Sequence, residues 1–193
     1  MGLVFIAAGF VAAGVAALVY WCVGSVGAEG WEAALDRALA VETAECRFWN
    51  EIVIHHSATE SGSAADFDRW HREGRGWDQG LGYHFVIGNG RGSGDGAIEA
   101  SRRWREQLPG AHARQHNQCG IVICLVGDFE EGRPTPAQME SLGRLLDRLT
   151  SRFSMPESHI ILHRDVGRTK CPGRNLTRAA VLGALETARS RQP

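Results

Sequence analysis

At 193 residues the chain is long enough for one globular domain with a proper core plus a short appendage. Its 21 basic residues nearly balance 22 acidic ones, so no global field draws it to nucleic acid or to an anionic surface, and nucleic acid is not an expected partner. Five cysteines is an odd number, which requires at least one thiol to be free, metal-bound or paired outside the chain.

Residues 1–28 differ in composition from everything that follows. From Leu3 to Gly24 there is no charge, and Ala, Gly and Val dominate, over a length that can span a bilayer. No Lys or Arg precedes this run, and Glu29, Glu32 and Asp36 follow it. Globular helices rarely run so far without a polar face. An N-terminal apolar helix, transmembrane or signal, is therefore expected to export the chain across the inner membrane. Two outcomes are open: a weak anchor through residues 3–24 that later leaves the bilayer, or cleavage after Ala28, where Val26 and Ala28 suit a small-residue site. The expected location is membrane-tethered or released in the periplasm. Residues 29–47 read as a helical tether, with alanines and leucines at helical spacing from Trp31 to Val41, and 48–193 as the folded domain.

In that domain Ile52, Val53 and Ile54 form a short apolar run ending in His55 and His56, the pattern of a buried strand that delivers histidines at its C-terminal end. Asp66 to His71 is expected to be helical. Gly74, Gly76 and Gly80 mark loops before a second strand, Tyr83 to Ile87, closed by the Gly88, Asn89, Gly90 turn, and Gly92 to Gly96 prolong that stretch. Ile121 to Val126 predicts a central strand covered on both faces. Thr135 caps a helix with Pro136 at its first position and Gln138 reaching back, and Met139, Leu142, Leu145, Leu146, Leu149 and Phe153 make its apolar stripe. A strand over His159 to Leu162 leads into His163, and Leu176 to Ala188 closes the chain as a helix. Strands interleaved with helices define an α/β fold, a single domain with a central mixed β-sheet flanked by helices.

His55 and His163 each end an apolar strand, and Cys171 follows a short way after His163, with Pro172 and Gly173 behind it. Three such ligands at one sheet edge leave a fourth tetrahedral position for water, which a catalytic zinc needs and a structural zinc lacks. The same ligand types serve blue copper, whose axial methionine would have to be Met139 or Met155, in or just beyond the core helix. Histidines at strand ends are more often surface or hydrogen-bonded residues, so spacing alone leaves the metal site open. In an oxidising compartment Cys46, Cys119 and Cys124 could include one disulfide, though Cys119 and Cys124 lie in a strand-like run facing opposite ways and do not suit each other.

The segments IVIHHSAT from Ile52, GYHFVIG from Gly82, GAHA from Gly110, ICLVGDF from Ile123 and HRDVGRTKCPG from His163 occur in that order. Together they resemble the type 2 N-acetylmuramoyl-L-alanine amidase family, which includes peptidoglycan recognition proteins and the amidase-type lysozymes of bacteriophages. The resemblance covers Phe48 to Arg178. It implies one zinc ion on His55, His163 and Cys171, and a catalytic Tyr83 beside it, placed to donate to an oxyanion. Two residues before the cysteine the family has lysine in many phage enzymes and threonine in recognition-protein amidases. Here Thr169 stands there with Lys170 one place later, a departure that leaves open which of the two faces the substrate and assists catalysis; alignment favours Thr169 as the catalytic partner, with Lys170 as a substrate contact. His112 and Asn117 match cleft positions that contact the muropeptide. His56, His84 and His116 have weaker claims, and His84 is expected on the side of the sheet opposite Tyr83. The implied activity is zinc-dependent hydrolysis of the lactyl–L-alanine amide of peptidoglycan, by an exported endolysin or cell-wall lytic enzyme. The alternative is a recognition protein that binds peptidoglycan without cutting it, although such members usually lack the zinc cysteine. The N-terminal run resembles the signal-arrest-release segments of some phage lysis enzymes.

Overall fold

The computed structural model describes residues 27–43, 47–111 and 116–191. The chain divides into two units, residues 1–37 and 38–193, and helix α1 (Gly27–Leu39) carries the described part of the first. The apolar helix expected over residues 3–24 lies outside the described residues. Among the described residues no helix is long and apolar enough to cross a membrane.

The second unit is built on a five-stranded mixed sheet. Its strands are β1 (Glu51–His56), β2 (Phe85–Ile87), β3 (Ile98–Ala100), β4 (Gly120–Leu125) and β5 (Ile160–Leu162), in the spatial order β3-β2-β4-β1-β5. β1 runs parallel to β4 and β5, β4 parallel to β2, and only β3 is antiparallel to its neighbour. Every residue of β4 is buried, as its unbroken apolar run predicts for a strand covered on both faces. β3 escaped sequence reading because it is three half-buried residues with one large apolar side chain, too short for any periodicity. β2 begins at Phe85, so Tyr83 and His84 enter the sheet from the preceding loop.

Helix α2 (Ala64–Arg75) is longer than the Asp66 to His71 expected. Ser63 caps its first turn by accepting the Asp66 N–H, and Gly76 ends it in a left-handed conformation. Only Phe67 and His71 are buried, one turn apart, so its inward face is a narrow stripe on an otherwise charged helix. A single turn, α3 (Arg102–Arg105), follows β3 and buries Trp104 against Phe85, ring centroids 4.8 Å apart.

Helix α4 (Pro136–Phe153) has the expected capping box: Gln138 N–H donates to Thr135 Oγ1 at 3.0 Å, and Thr135 N–H to Gln138 Oε1 at 3.1 Å. Leu142, Leu145, Leu146 and Leu149 are fully buried, while Met139 and Phe153, at the ends of the stripe, are only half-buried. The Gln138 amide has a second task that sequence does not reveal. Its Nε2 donates to Ile87 O (3.0 Å) and Val126 O (2.9 Å), fastening the helix N-terminus to the ends of β2 and β4. After β5 the chain turns straight into a short helix α5 (His163–Val166), so His163 opens a helix, with the Asp165 carboxylate accepting the Leu162 N–H at 2.9 Å. Helix α6 (Arg178–Ser190), capped by Thr177, packs on α4 so closely at Gly143 that a Cβ there would lie 2.2 Å from Ala184 O.

Gln138→Ala removes half a capping box and takes a donor from two carbonyls, of which Ile87 O keeps the Val126 N–H and Val126 O loses the amide that it accepts. It is expected to lower unfolding free energy by about 2–4 kcal/mol, measured by urea titration with an unchanged m-value. A loss within about 0.5 kcal/mol would mean that water replaces the amide at both carbonyls.

Candidate active site

Alternation along β1 sends His55 and His56 to opposite faces. The register pairs His55 with Cys124 and Val53 with Val122, on the face where Phe67, Leu81, Tyr83, Val86, Val122, Cys124 and Val126 form one buried cluster. On that face His55, His163 and Cys171 converge, each offering one ligand atom, all within 4.8 Å of one another. The two imidazole rings lie 4.1 Å apart, tilted by 33°, and Cys171 Sγ is 3.5 Å from His55 Nδ1. Zinc bonds of about 2.05 Å to nitrogen and 2.3 Å to sulfur, at a tetrahedral angle, imply an N–S separation of about 3.6 Å. The donor set therefore fits a three-ligand zinc centre in chemistry and in spacing.

The segment bearing Cys171 is fixed from several sides. Arg164 donates through its guanidinium to Gly173 O (2.6 Å) and Leu176 O (2.9 Å), and its N–H donates to Cys171 O (2.8 Å). Gly173, at φ 92°, lies so close to the β4–α4 connection that a Cβ would sit 2.3 Å from the Phe129 carbonyl carbon. A cis peptide joins Cys171 to Pro172. Thr169 Oγ1 accepts the Cys171 N–H at 3.1 Å, and the His56 N–H donates to Cys171 Sγ at 3.4 Å. Burial pushes the Cys171 thiol up to about 12, opposed by the His56 N–H and the Arg164 charge. A thiol so placed ionises near neutral pH when a cation joins it, which a metal at the trio would supply.

Tyr83 stands beside these groups, 7% exposed, its ring 5.6 Å from that of His55. Burial, then the neighbouring Cys124 and Cys171, hold its phenol well above the usual range, so it remains a proton donor at any physiological pH. A cavity of about 310 Å³ opens next to it, lined among others by Ser57, Thr59, Phe67, Trp70 and His71. Phe67, Trp70 and His71 recur at helical spacing on α2, a stripe that the polarity of the rest of the helix obscures in the sequence. Trp70 is half-exposed at the rim, with the Arg75 guanidinium 4.6 Å from its ring centre.

His56, His84, His116 and His71 make packing or hydrogen-bond contacts and are not members of the trio. His56 Nδ1 accepts the Phe129 N–H at 3.1 Å, and burial lowers its pKa although Asp128 is near. His84 lies on the opposite side from Tyr83, edge-on to Trp49. Its Nδ1 accepts the Val122 N–H and its Nε2 donates to Leu108 O, both at 2.9 Å, and burial lowers its pKa to about 4. His116 pairs with Glu51 at 2.8 Å, at the start of β1. His71 stacks on Trp77, ring centroids 4.7 Å apart, with its pKa lowered to about 4 by burial and then by Arg75.

Thr169 and Lys170 are both exposed on the cysteine loop. Asn117 is not brought to the trio: it precedes Gly120, which pairs with Glu51, about 13 Å along the strand from the level of His55. Its carbonyl accepts the Gly110 N–H. His112 and Cys46 lie outside the described residues. Cys119 and Cys124 are free thiols and do not pair with each other.

Over residues 46–174 the chain matches the N-acetylmuramoyl-L-alanine amidase family, and it belongs to that family. It is 36% identical over 135 residues to the endolysin of Enterobacteria phage T3, covering 66% of this chain and 82% of the relative. It is 32% identical over 149 residues to peptidoglycan-recognition protein SC2 of Drosophila melanogaster, covering 72% and 77%. Among solved structures, the N-acetylmuramoyl-L-alanine amidase LysC from Clostridium intestinale superposes with a TM-score of 0.63 at 32% identity, covering 72% of this chain and 87% of that one.

The buried neutral histidines set an acid limit. His71 and His84 ionise near 4 in the folded chain against an ordinary value of 6.5. Below pH 6.5 the unfolded chain takes up protons that the folded one refuses. Stability is therefore full above about pH 7 and falls as pH drops from 6.5 towards 4. Urea midpoints measured across that window should decline, with a shallower decline in His84→Gln; equal slopes would show that His84 takes up its proton while folded.

Proposed function

We propose that the chain is a zinc-dependent amidase that hydrolyses the bond between the lactyl group of muramic acid and the L-alanine of the stem peptide. The observation that carries this reading is the convergence of His55, His163 and Cys171, at spacings that suit one tetrahedral metal, beside a buried and protonated Tyr83. Family membership and the amidase and endolysin relatives support it.

Zinc held there would supply Lewis-acid chemistry, able to activate water and to polarise the scissile carbonyl. The chain does the rest. His55, His163 and Cys171 would hold the metal as its three protein ligands. Tyr83 keeps its proton and donates a hydrogen bond to the carbonyl oxygen as negative charge builds on it. Thr169 Oγ1 accepts the Cys171 N–H, so its own O–H is left to point at substrate, while Lys170 extends from the same loop towards solvent. The cavity beside Tyr83 receives the stem peptide, with His71 neutral on its wall. We further propose that the uncharged run over residues 3–24 carries the domain out of the cytoplasm, to peptidoglycan.

Purified protein should release stem peptides with a free L-alanine N-terminus from peptidoglycan, and a chelator should stop the release until zinc is restored. New reducing sugar ends would indicate a glycosidase, and tight binding of peptidoglycan without release would indicate a recognition protein. Cys171→Ser should lose both metal and activity. Tyr83→Phe should keep the metal and lose about 100-fold or more in kcat; full turnover by Tyr83→Phe would return this residue to a packing role.

A further inference from the structure

Tyr83 stands just ahead of the sheet ladder, since β2 begins at Phe85. The backbone that carries it, Leu81–Tyr83, is tied down by side chains and loops. The Leu81 N–H donates to Asp68 Oδ1 (2.8 Å) and the Gly82 N–H to His71 Nδ1 (3.4 Å), both on α2, while Gly82 O accepts the Ala111 N–H (3.2 Å). The carbonyls on either side of Gly82 both go to the start of α3. Ser101 Oγ donates to Tyr83 O at 2.7 Å, and Arg103 Nε donates to Leu81 O at 2.5 Å. Ser101 Oγ also accepts the Arg103 N–H (3.1 Å), so the two residues are locked to each other.

Arg103 is a buried charge that the mechanism above does not use. It is 4% exposed, and among the described residues its guanidinium donates to uncharged acceptors: Leu81 O, Pro109 O at 2.5 Å and Gln79 Oε1 at 3.3 Å. Burying a guanidinium is costly. What it supplies in return is a planar fork that reaches carbonyls of two distant segments at once.

We propose that Arg103 and Ser101 are positioning residues for the hydrolysis, which fix the backbone from which the Tyr83 hydroxyl reaches the oxygen of the scissile carbonyl. This rests on the amidase reading. The phenol oxygen lies at the far end of a rigid ring, so a small tilt of Leu81–Tyr83 is magnified at the hydroxyl, and a misplacement of about 1 Å can cost about 100-fold in rate. Pro109 O gives the fork a second post, which stops the guanidinium from following Leu81 when that segment moves. The Leu108 N–H, donating to Arg103 O at 2.8 Å, closes α3 onto the same post. Lysine keeps the charge but has one nitrogen in place of the fork, and cannot hold both carbonyls in the same geometry.

Arg103→Lys, Ser101→Ala and Tyr83→Phe in the full chain, with Tyr83→Phe also added to each of the first two, test this. Arg103→Lys should keep its zinc and lower kcat about tenfold with KM changed less than about twofold, and Ser101→Ala should lower kcat about threefold in the same way. In the Tyr83→Phe background neither change should lower kcat further, because the hydroxyl they position is gone. Equal losses in both backgrounds, loss of zinc, a change confined to KM, or full turnover by Arg103→Lys would overturn the proposal. If Arg103→Lys does not fold, the Ser101→Ala cycle decides by the same criteria. The hold itself has a readout without turnover: amide hydrogen exchange at Leu81 and Gly82 should quicken about tenfold in Arg103→Lys while β4 exchanges as before. Unchanged exchange at both amides would overturn the proposal. Quickened exchange in a chain that cleaves no peptidoglycan would leave the hold standing and refute the amidase reading on which its catalytic role rests.

Discussion

The site depends on the side-to-side alternation of one strand. Because β1 is extended and paired in fixed register with β4, His55 must project into the same layer as Val53 and Cys124, and His56 must project away from it. A slip of one residue would exchange the two histidines. His56 would then face Tyr83, and His55 would replace it beneath the Phe129 N–H. Hydrophobic burial on both faces prevents that slip, since Ile52, Val53 and Ile54 are all fully buried. Packing that looks merely structural thus selects which histidine can meet a metal.

The remaining groups are added by short connections that leave little freedom. β5 is three residues long and pairs with β1 up to Ile54, so the next residue, His163, emerges beside His55. The cysteine loop has no regular structure of its own and is held from outside, by Arg164 beneath and by the Phe129 and Glu130 backbone behind Gly173. That arrangement keeps a part-buried thiol within reach of two imidazoles, in a place where burial makes the thiol costly to ionise. A cation resolves the cost, which is why the geometry reads as a metal centre rather than a hydrogen-bonded cluster.

Much of this was legible in the sequence, for definite reasons. The strands β1 and β4 are unbroken apolar runs, α4 announces itself by its capping box and leucine stripe, and the ordered motifs around His55, Tyr83, His163 and Cys171 carry the family's ligand set. What was hidden lacked a pattern. β3 is too short to show a period, α2 buries only two residues, and the contact of the Gln138 amide with Ile87 O links segments far apart in the chain, which spacing cannot reveal. Asn117 was matched by motif alone, and its place before Gly120, away from the trio, comes from the register of β4 rather than from spacing.

The central claim is that two histidines and one cysteine hold a single zinc with a fourth position open. X-ray absorption at the zinc edge of the loaded full-length protein measures that directly. The account predicts one sulfur at about 2.3 Å and nitrogen or oxygen scatterers at about 2.0–2.1 Å, with two of them showing the outer-shell pattern of imidazole; a zinc shell without sulfur, or one with two or more sulfurs, would contradict it.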